Sequence, residues 1–132
     1  MSLQYSRGCP FDCEFCDVVA LFGHKPRYKT PERFLAELDA LYMAGWRGNV
    51  FIVDDNFIGN KIKARELLKK LIDWQEIHGY PFFFVTQASI NLADQKELLQ
   101  LMAKADFKQV FIGIETPSAA SLEACDKKQH LN

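Results

Sequence analysis

The sequence predicts an α/β protein built from about four strand–helix units around a parallel sheet. Short, almost wholly apolar runs alternate along the chain with longer segments whose apolar residues recur at helical spacing. The connections between these segments are short. Strands that alternate with helices in this way form parallel sheets with right-handed crossovers. Four such units are too few to close an eight-stranded barrel.

The first unit is predicted from turn and capping residues. A short strand at residues 4–6 leads into a cysteine-rich loop, and residues 17–30 are expected to be irregular. A helix then begins after Thr30, whose side chain is a good N-terminal cap, with Pro31 in the first helical position. Gly45 is the predicted end of this helix.

The other three units are predicted from hydrophobic periodicity. A continuous apolar run, which strands of a covered parallel sheet require, lies at residues 50–53, and further strands are predicted at residues 82–87 and 110–115. Segments with helical periodicity or helix-capping residues follow them at residues 61–78, 94–102 and 118–122.

Length and charge limit the classes of function. The chain has 132 residues, enough for one domain, with 16 basic and 17 acidic side chains. This balance predicts neither a nucleic-acid-binding nor a membrane-binding surface. No apolar run is long enough to span a membrane, and the cysteines are clustered, so we expect a reducing compartment, the cytoplasm. Both termini lack a complete element, and we therefore expect a fragment of a longer protein.

Three of the four cysteines, Cys9, Cys13 and Cys16, have the spacing C-x3-C-x2-C. Thiolates are soft ligands that select iron–sulfur clusters, zinc or Cu(I). Structural zinc and most iron–sulfur clusters take four protein ligands. A group of three therefore indicates a site with one open position, at which a [4Fe–4S] cluster can bind a substrate or a cofactor.

The alternative is a non-catalytic module in which zinc holds the cysteine loop for folding or partner binding. Zinc would need a fourth ligand from elsewhere in the chain, and the soft candidates are Cys125, His24, His78 and His130. Cys125 follows in a polar tail, and we interpret it as an incidental thiol remote from the motif.

The stretch Arg-Gly-Cys-Pro-Phe-Asp-Cys-Glu-Phe-Cys at residues 7–16 resembles the signature of the radical S-adenosylmethionine (radical SAM) superfamily. In that family three cysteines hold a [4Fe–4S] cluster, and the fourth iron chelates the amino and carboxylate groups of SAM. The resemblance implies that Cys9, Cys13 and Cys16 are the metal ligands. It also matches Phe15 to the aromatic residue that usually precedes the last cysteine. The implied fold is a partial (β/α)6 TIM-like barrel, of which residues 1–132 would be the N-terminal part.

Polar residues follow each predicted strand, at the sheet edge where parallel α/β proteins bind ligands. Asp54 and Asp55 carry like charges that need a cation or hydrogen-bond donors nearby, and the ammonium of SAM is such a cation. Gln87 and Ser89 are candidates to hydrogen-bond the SAM carboxylate or a substrate. By resemblance, Glu115 matches a position that contacts the ribose or amino-acid part of SAM. The sequence does not indicate which of the two aspartates contacts SAM, and it identifies no catalytic residue.

The family usually has a Gly-Gly-Glu-like motif after the second strand, whereas this chain has Asp-Asp-Asn-Phe at residues 54–57. That ending resembles the cobalamin-type branch, often labelled Fe–S oxidoreductases, which includes methyltransferases and the anaerobic magnesium-protoporphyrin monomethyl ester cyclase. The resemblance implies a one-electron reductant, cleavage of SAM to a 5′-deoxyadenosyl radical, and a small-molecule substrate. Methyl transfer and oxidative cyclisation are both compatible with it.

We expect cobalamin only in the full-length protein and no full activity from this fragment alone. No nucleic-acid or membrane partner is predicted. The fourth strand would be an open edge of the sheet, and because unpaired edges invite pairing, two fragments are predicted to associate edge to edge.

Overall fold

The computed structural model describes residues 1–127. In chain order the strands are β1 (Ser2–Leu3), β2 (Ser6–Arg7), β3 (Arg27–Tyr28), β4 (Gly48–Ile52), β5 (Phe82–Gln87) and β6 (Phe107–Phe111). The helices are α1 (Val18–Phe22), α2 (Pro31–Met43), α3 (Lys61–His78), α4 (Lys96–Lys104) and α5 (Ala119–Ala124), with a 3-10 helix at Ile90–Asp94.

The main sheet has four parallel strands in the order β1-β4-β5-β6. A second sheet is a two-stranded antiparallel pair, β2 with β3. The predicted α/β architecture with a parallel sheet is therefore confirmed. Among residues 1–127, β1 and β6 are the edges of the main sheet, and edge-to-edge association through β6 stays a prediction.

The first predicted strand is wrong. Residues 4–6 do not form one strand: Ser2 and Leu3 pair in parallel with Phe51 and Ile52, whereas Ser6 and Arg7 pair with β3. Two-residue strands are too short to show a periodicity, so the pattern could not separate them. Residues 17–30, expected to be irregular, contain α1 and β3.

The fourth predicted strand is displaced. It was expected at residues 110–115, but β6 spans Phe107–Phe111 and its ladder ends where Gln87 pairs with Phe111. The apolar run continues past that point, because Ile112 and Ile114 lie beyond the last residue of the neighbouring strand. Glu115 consequently lies in a loop, with a left-handed φ of 63°.

The third predicted helix begins later than the expected residue, Asp94. Residues 90–94 form a 3-10 turn, and α4 begins only at Lys96, after Gln95. By contrast, α3 and β5 have the predicted bounds. No helix among residues 1–127 is both long enough and apolar enough to cross a membrane.

Helices α2 and α3 begin at side-chain caps. Thr30 Oγ1 accepts a 3.3 Å hydrogen bond from the Arg33 N–H, and Pro31 occupies the first position of α2, as predicted. Asn60 Oδ1 accepts hydrogen bonds of 3.1 Å from the N–H groups of Ile62 and Lys63 at the start of α3. These caps satisfy N–H groups that the first turn leaves without helical partners.

The two faces of the sheet differ in burial. In β5 alternate residues are buried (Phe82, Phe84 and Thr86) and the intervening ones are half-buried (Phe83, Val85 and Gln87). The buried side chains join the core formed with α2, α3 and α4. Successive strand residues point to opposite faces, so Gln87 at the end of β5 lies on the face that the core does not cover.

Asp54 ties the start of the chain to the end of β4. Its Oδ1 accepts a 2.8 Å hydrogen bond from the Tyr5 N–H, and its Oδ2 accepts bonds of 2.9 Å and 2.6 Å from the Ser6 N–H and Oγ. The residue is 0% exposed. Burial raises the pKa of Asp54, and the Ser6 and Tyr5 donors oppose that rise. This carboxylate therefore fixes the chain between β1 and β2 and the path of the loop that follows.

We predict that Asp54→Asn lowers the free energy of unfolding by about 2–3 kcal/mol, because the new amide group would turn a donor towards donors in a buried site. Chemical denaturation of the wild-type and variant chains measures this difference. Asp73→Asn, at an exposed position of α3, is the control and should stay within about 0.5 kcal/mol of wild type. Equal stability of the Asp54 variant and the wild type would contradict the assigned role.

Candidate cofactor site

A pocket of about 280 Å³ lies at the carboxyl end of the sheet, where the cysteine loop meets the loops after β4, β5 and β6. Ligands of parallel α/β sheets bind at this end. Eight of the nine predicted site residues line it: Cys9, Cys13, Phe15, Cys16, Asp55, Gln87, Ser89 and Glu115. Only Asp54 does not.

The three cysteines are reduced and partly buried. A 2.9 Å hydrogen bond from the Cys16 N–H to the Cys13 carbonyl forms the turn between the last two. Within residues 1–127 no three His, Cys, Asp or Glu side chains are arranged to hold a metal ion as they stand, so the thiols share a pocket without converging. The donor set, three soft thiols on one short loop facing one cavity, fits a cluster with one open position.

Burial raises the pKa of the Cys9 thiol, whereas hydrogen bonds from the Phe11 backbone and the Asn56 side chain lower it. Neighbouring Cys13 and Cys16 add smaller upward contributions to the same pKa. A thiolate is the form that binds metal.

Gly8 determines the direction in which the backbone enters the cysteine loop. Its φ is +102°, a conformation that glycine adopts readily, and its N–H donates a 2.7 Å hydrogen bond to Asp55 Oδ2. A Cβ at this position would lie 3.3 Å from Pro26 Cα. The two adjacent aspartates therefore hold successive parts of the same segment, Asp54 at residues 5 and 6 and Asp55 at residue 8.

Asp54 and Asp55 differ in their access to the pocket. The prediction treated them as alternatives facing the cation of a cofactor. In the structure, backbone and hydroxyl donors of the chain itself bond both buried oxygens of Asp54, and this residue does not line the pocket. Asp55 is partly exposed and lines the pocket.

Asn56, which sequence analysis did not select as a site residue, joins two sides of the pocket. Its Nδ2 donates a 3.1 Å hydrogen bond to Ser89 Oγ, and Asn56 lines the pocket together with Cys9. Its position directly after two aspartates at a strand end was the available signal.

Lys127 is a second residue that the sequence did not indicate. Its side chain is 8% exposed, and its Nζ donates hydrogen bonds of 2.7 Å to Glu115 Oε1 and to the Gly113 carbonyl. The same Nζ lies 5.2 Å from the centre of the Phe15 ring. The sequence places Lys127 in a charged tail with no pattern to mark it, so only the fold could bring it to the pocket.

Gly113 allows Glu115 its position in the pocket. A Cβ on Gly113 would lie 2.5 Å from Glu115 Oε1, closer than any carbon–oxygen contact normally allows. Glycine at this position therefore leaves room for the carboxylate to turn back towards Lys127.

The residues considered as a fourth zinc ligand are dispersed. His78 stacks on Trp74 and hydrogen-bonds its carbonyl, and exposed His24 does not line the pocket; His130 lies outside the described residues. The expectation that Cys125 is remote from the motif is wrong, because its carbonyl accepts a 3.1 Å hydrogen bond from the Glu14 N–H. The Cys125 thiol, however, donates a hydrogen bond to the Leu122 carbonyl, with a sulfur–oxygen distance of 3.5 Å.

A parallel α/β sheet that carries a three-cysteine loop at the carboxyl ends of its strands defines a class of cofactor-binding proteins. The family model described as "Radical SAM superfamily" matches residues 3–132. The chain belongs to the radical SAM superfamily, and the family predicted from the cysteine motif is confirmed.

Curated relatives include methyltransferases. An uncharacterized methyltransferase of Synechocystis sp. is 58% identical over 98% of this chain and 24% of its own length. The hopanoid C-2 methylase of Rhodopseudomonas palustris is 46% identical over 98% of this chain and 25% of its own length. The chain thus spans about a quarter of the length of these relatives.

A solved structure has the same fold. The radical S-adenosylmethionine methyltransferase TsrM from Kitasatospora setae, with cobalamin and a [4Fe–4S] cluster bound, superimposes with a TM-score of 0.82. The match covers 92% of this chain and 23% of TsrM at 18% sequence identity. At this identity the likeness shows the fold, and it agrees with the predicted partial barrel.

We predict that Gly8→Ala lowers the free energy of unfolding by about 1–3 kcal/mol, because alanine is strained at positive φ and its Cβ would press on Pro26. Gly23→Ala is the matched control: Gly23 also has a positive φ, of 81°, but an added Cβ meets no atom within 4 Å. Chemical denaturation gives the free energy of unfolding of both variants, and the difference between them measures the cost of the contact with Pro26. Equal losses would show that backbone strain alone is responsible.

Proposed function

We propose that this chain is the N-terminal part of the core of a radical SAM enzyme. Cys9, Cys13 and Cys16 would hold a [4Fe–4S] cluster, and SAM would bind at its open iron. The observation that supports this most strongly is that the three thiols face the same pocket as polar groups from three other loops. When bound, the cluster supplies the electron that cleaves SAM into methionine and a 5′-deoxyadenosyl radical.

Asp55 is the proposed partner of the SAM ammonium. Its carboxylate lines the pocket, and the Gly8 N–H holds its Oδ2 at 2.7 Å, which orients the group before any ligand arrives. Asp54 stays outside this role, because its oxygens are already engaged. The geometry thus favours one of the two alternatives that the sequence left open.

Glu115 and Gln87 line the same pocket as the cysteines and are proposed to bind the rest of SAM. Lys127 holds one oxygen of Glu115 and so fixes the direction of the carboxylate. Gln87 ends β5 on the face that the core does not cover. Ser89 is less available, since its Oγ and N–H already bond Asn56 and Asn91. Phe11, Phe15, Val18 and Phe111 add apolar surface that would restrict water.

Methyl transfer to a small molecule is the proposed reaction of the parent protein. The methyltransferase relatives support it over oxidative cyclisation. A one-electron reductant and a reducing compartment, the cytoplasm, belong to this proposal, and cobalamin would bind outside the present chain. We expect no full activity from a segment that spans about a quarter of its relatives.

The zinc module is not favoured. Its fourth ligand would have to come from candidates that, among residues 1–127, do not line the pocket with the cysteines. Family membership also supports a cluster rather than zinc.

We predict that the chain, reconstituted anaerobically, takes up about four irons per molecule and is brown, as a [4Fe–4S] cluster requires. Alanine at Cys9, Cys13 or Cys16 should abolish stable loading, because each removes one of only three protein ligands. Cys125→Ala is the matched control and should load normally. Iron, sulfide and zinc analysis with absorption spectra measures the outcome, and uptake of one zinc without iron would overturn the proposal.

We predict that Asp55→Asn weakens SAM binding to the loaded protein by about tenfold, because the variant keeps an oxygen for the Gly8 N–H but loses the charge that pairs with the ammonium. Titration of SAM, followed through the EPR signal of the reduced cluster, measures the affinity. Asp12→Asn removes the same charge from an exposed position of the cysteine loop and should leave the affinity unchanged. Equal affinities in all three proteins would exclude Asp55 as the contact.

A further inference from the structure

The face of the main sheet that the core does not cover carries a second cavity, here called the sheet-face groove. Its volume is about 460 Å³, within the range of small-molecule sites. Three apolar side chains and three primary amides line it: Asn49, Phe51, Val85, Gln87, Gln109 and Phe111. None of these six side chains carries a charge.

The pairing of the strands sets the dimensions of the sheet-face groove. Phe51, Val85 and Gln109 are register partners and form one row across β4, β5 and β6. Asn49 lies in the row before, and Gln87 lies in the row after, towards the carboxyl ends of the strands. Strands lie about 4.8 Å apart and rise about 3.3 Å per residue, so the groove is about 10 Å wide and about 13 Å long.

The sheet-face groove adjoins the cofactor pocket. Gln87 and Phe111 line both cavities. Phe111 is 68% exposed, so its ring is available as a surface where the two cavities meet. The charged residues Asp55, Glu115 and Lys127 line the cofactor pocket and do not line the groove. A molecule in the groove would therefore reach the cofactor pocket along an uncharged surface.

The three amides of the sheet-face groove are available to a ligand. None of the side-chain hydrogen bonds formed among residues 1–127 involves the amide group of Asn49, Gln87 or Gln109. A primary amide both donates and accepts hydrogen bonds. These groups can therefore bind a hydroxyl or a carbonyl of a ligand without requiring a charge on it.

We propose that the sheet-face groove binds the substrate, and that this substrate is an uncharged molecule with a largely hydrocarbon skeleton and a neutral hydrogen-bonding group. The inference rests on the proposed function, because a substrate of methyl transfer must lie beside the cofactor pocket. The side chains of Phe51, Val85 and Phe111 favour burial of hydrocarbon. A charged substrate would lose water in this groove and find no opposite charge in its lining.

The test is an NMR titration of the cluster-free chain with three probes that share one hydrocarbon cage. Adamantanol is neutral, adamantane carboxylate is an anion and adamantyl ammonium is a cation. We expect adamantanol to bind about tenfold more tightly than either ion, because burial of a charge without a partner is costly. Its binding should shift the side-chain NH2 resonances of Gln87 and Gln109 and leave those of Gln100, an exposed residue of α4, in place.

A matched pair of variants places a charge inside and outside the sheet-face groove. Gln109→Glu should weaken adamantanol binding by about tenfold and should strengthen the binding of adamantyl ammonium, which gains a counter-charge. Gln100→Glu makes the same substitution on α4 and should change neither affinity. Both glutamines are exposed and the substitutions are nearly isosteric, so both variants should fold.

Three results would overturn the inference. Equal or tighter binding of a charged probe contradicts an uncharged substrate. Absence of adamantanol binding, or shifts confined to residues outside the groove, contradicts the site. A dimer of the chain that Gln109→Glu dissociates and Gln100→Glu does not would assign the groove to a second copy.

Iron loading separates this inference from the proposed function. A chain that takes up iron but does not bind adamantanol in the sheet-face groove loses only the inference. A chain that binds adamantanol there but takes up no iron loses the proposed function, and with it the assignment of the ligand as a substrate.

Discussion

The organisation of the pocket depends on a single buried carboxylate at the end of β4. Asp54 receives hydrogen bonds from consecutive residues, Tyr5 and Ser6, and so determines how the chain leaves β1 and turns towards the cysteines. A carboxylate enclosed without donors would be costly. With three donors, Asp54 holds the chain firmly. Its neighbour Asp55 holds the next part of the chain, because it accepts a hydrogen bond from the Gly8 N–H. The end of β4 thus positions the cysteine loop, which has few hydrogen bonds of its own.

The three side chains of the Asp-Asp-Asn sequence after β4 bind three different parts of the structure. The first side chain holds the backbone before the loop, the second holds the loop entry and faces the pocket, and the third hydrogen-bonds Ser89 in the loop after β5. Adjacent acidic residues in a sequence are often attributed to a ligand. Here the two carboxylates have different environments, and only the one that is partly exposed is suited to a ligand.

Much of the fold and most of the candidate site follow from the sequence. Helix α3 and strand β5 were predicted with their bounds, because each is long and strongly patterned. The first and fourth strands were misplaced because pairing ends them: β1 is only two residues long, and β6 stops with its neighbour although the apolar run continues. The role of Asp54 and the arrival of Lys127 at the pocket could not be predicted, since each depends on partners far away in the chain.

The contacts of the last described residues bear on the order in which this molecule assembles. Lys127 Nζ lies 5.2 Å from the centre of the Phe15 ring, and the Cys125 carbonyl accepts a hydrogen bond from the Glu14 N–H, so the last described residues meet the cysteine loop at the pocket. Closing so long a loop costs chain entropy that local structure cannot repay early. We therefore expect the wall that carries Glu115 to form after the sheet and the helices, which makes a closed pocket a late product of folding.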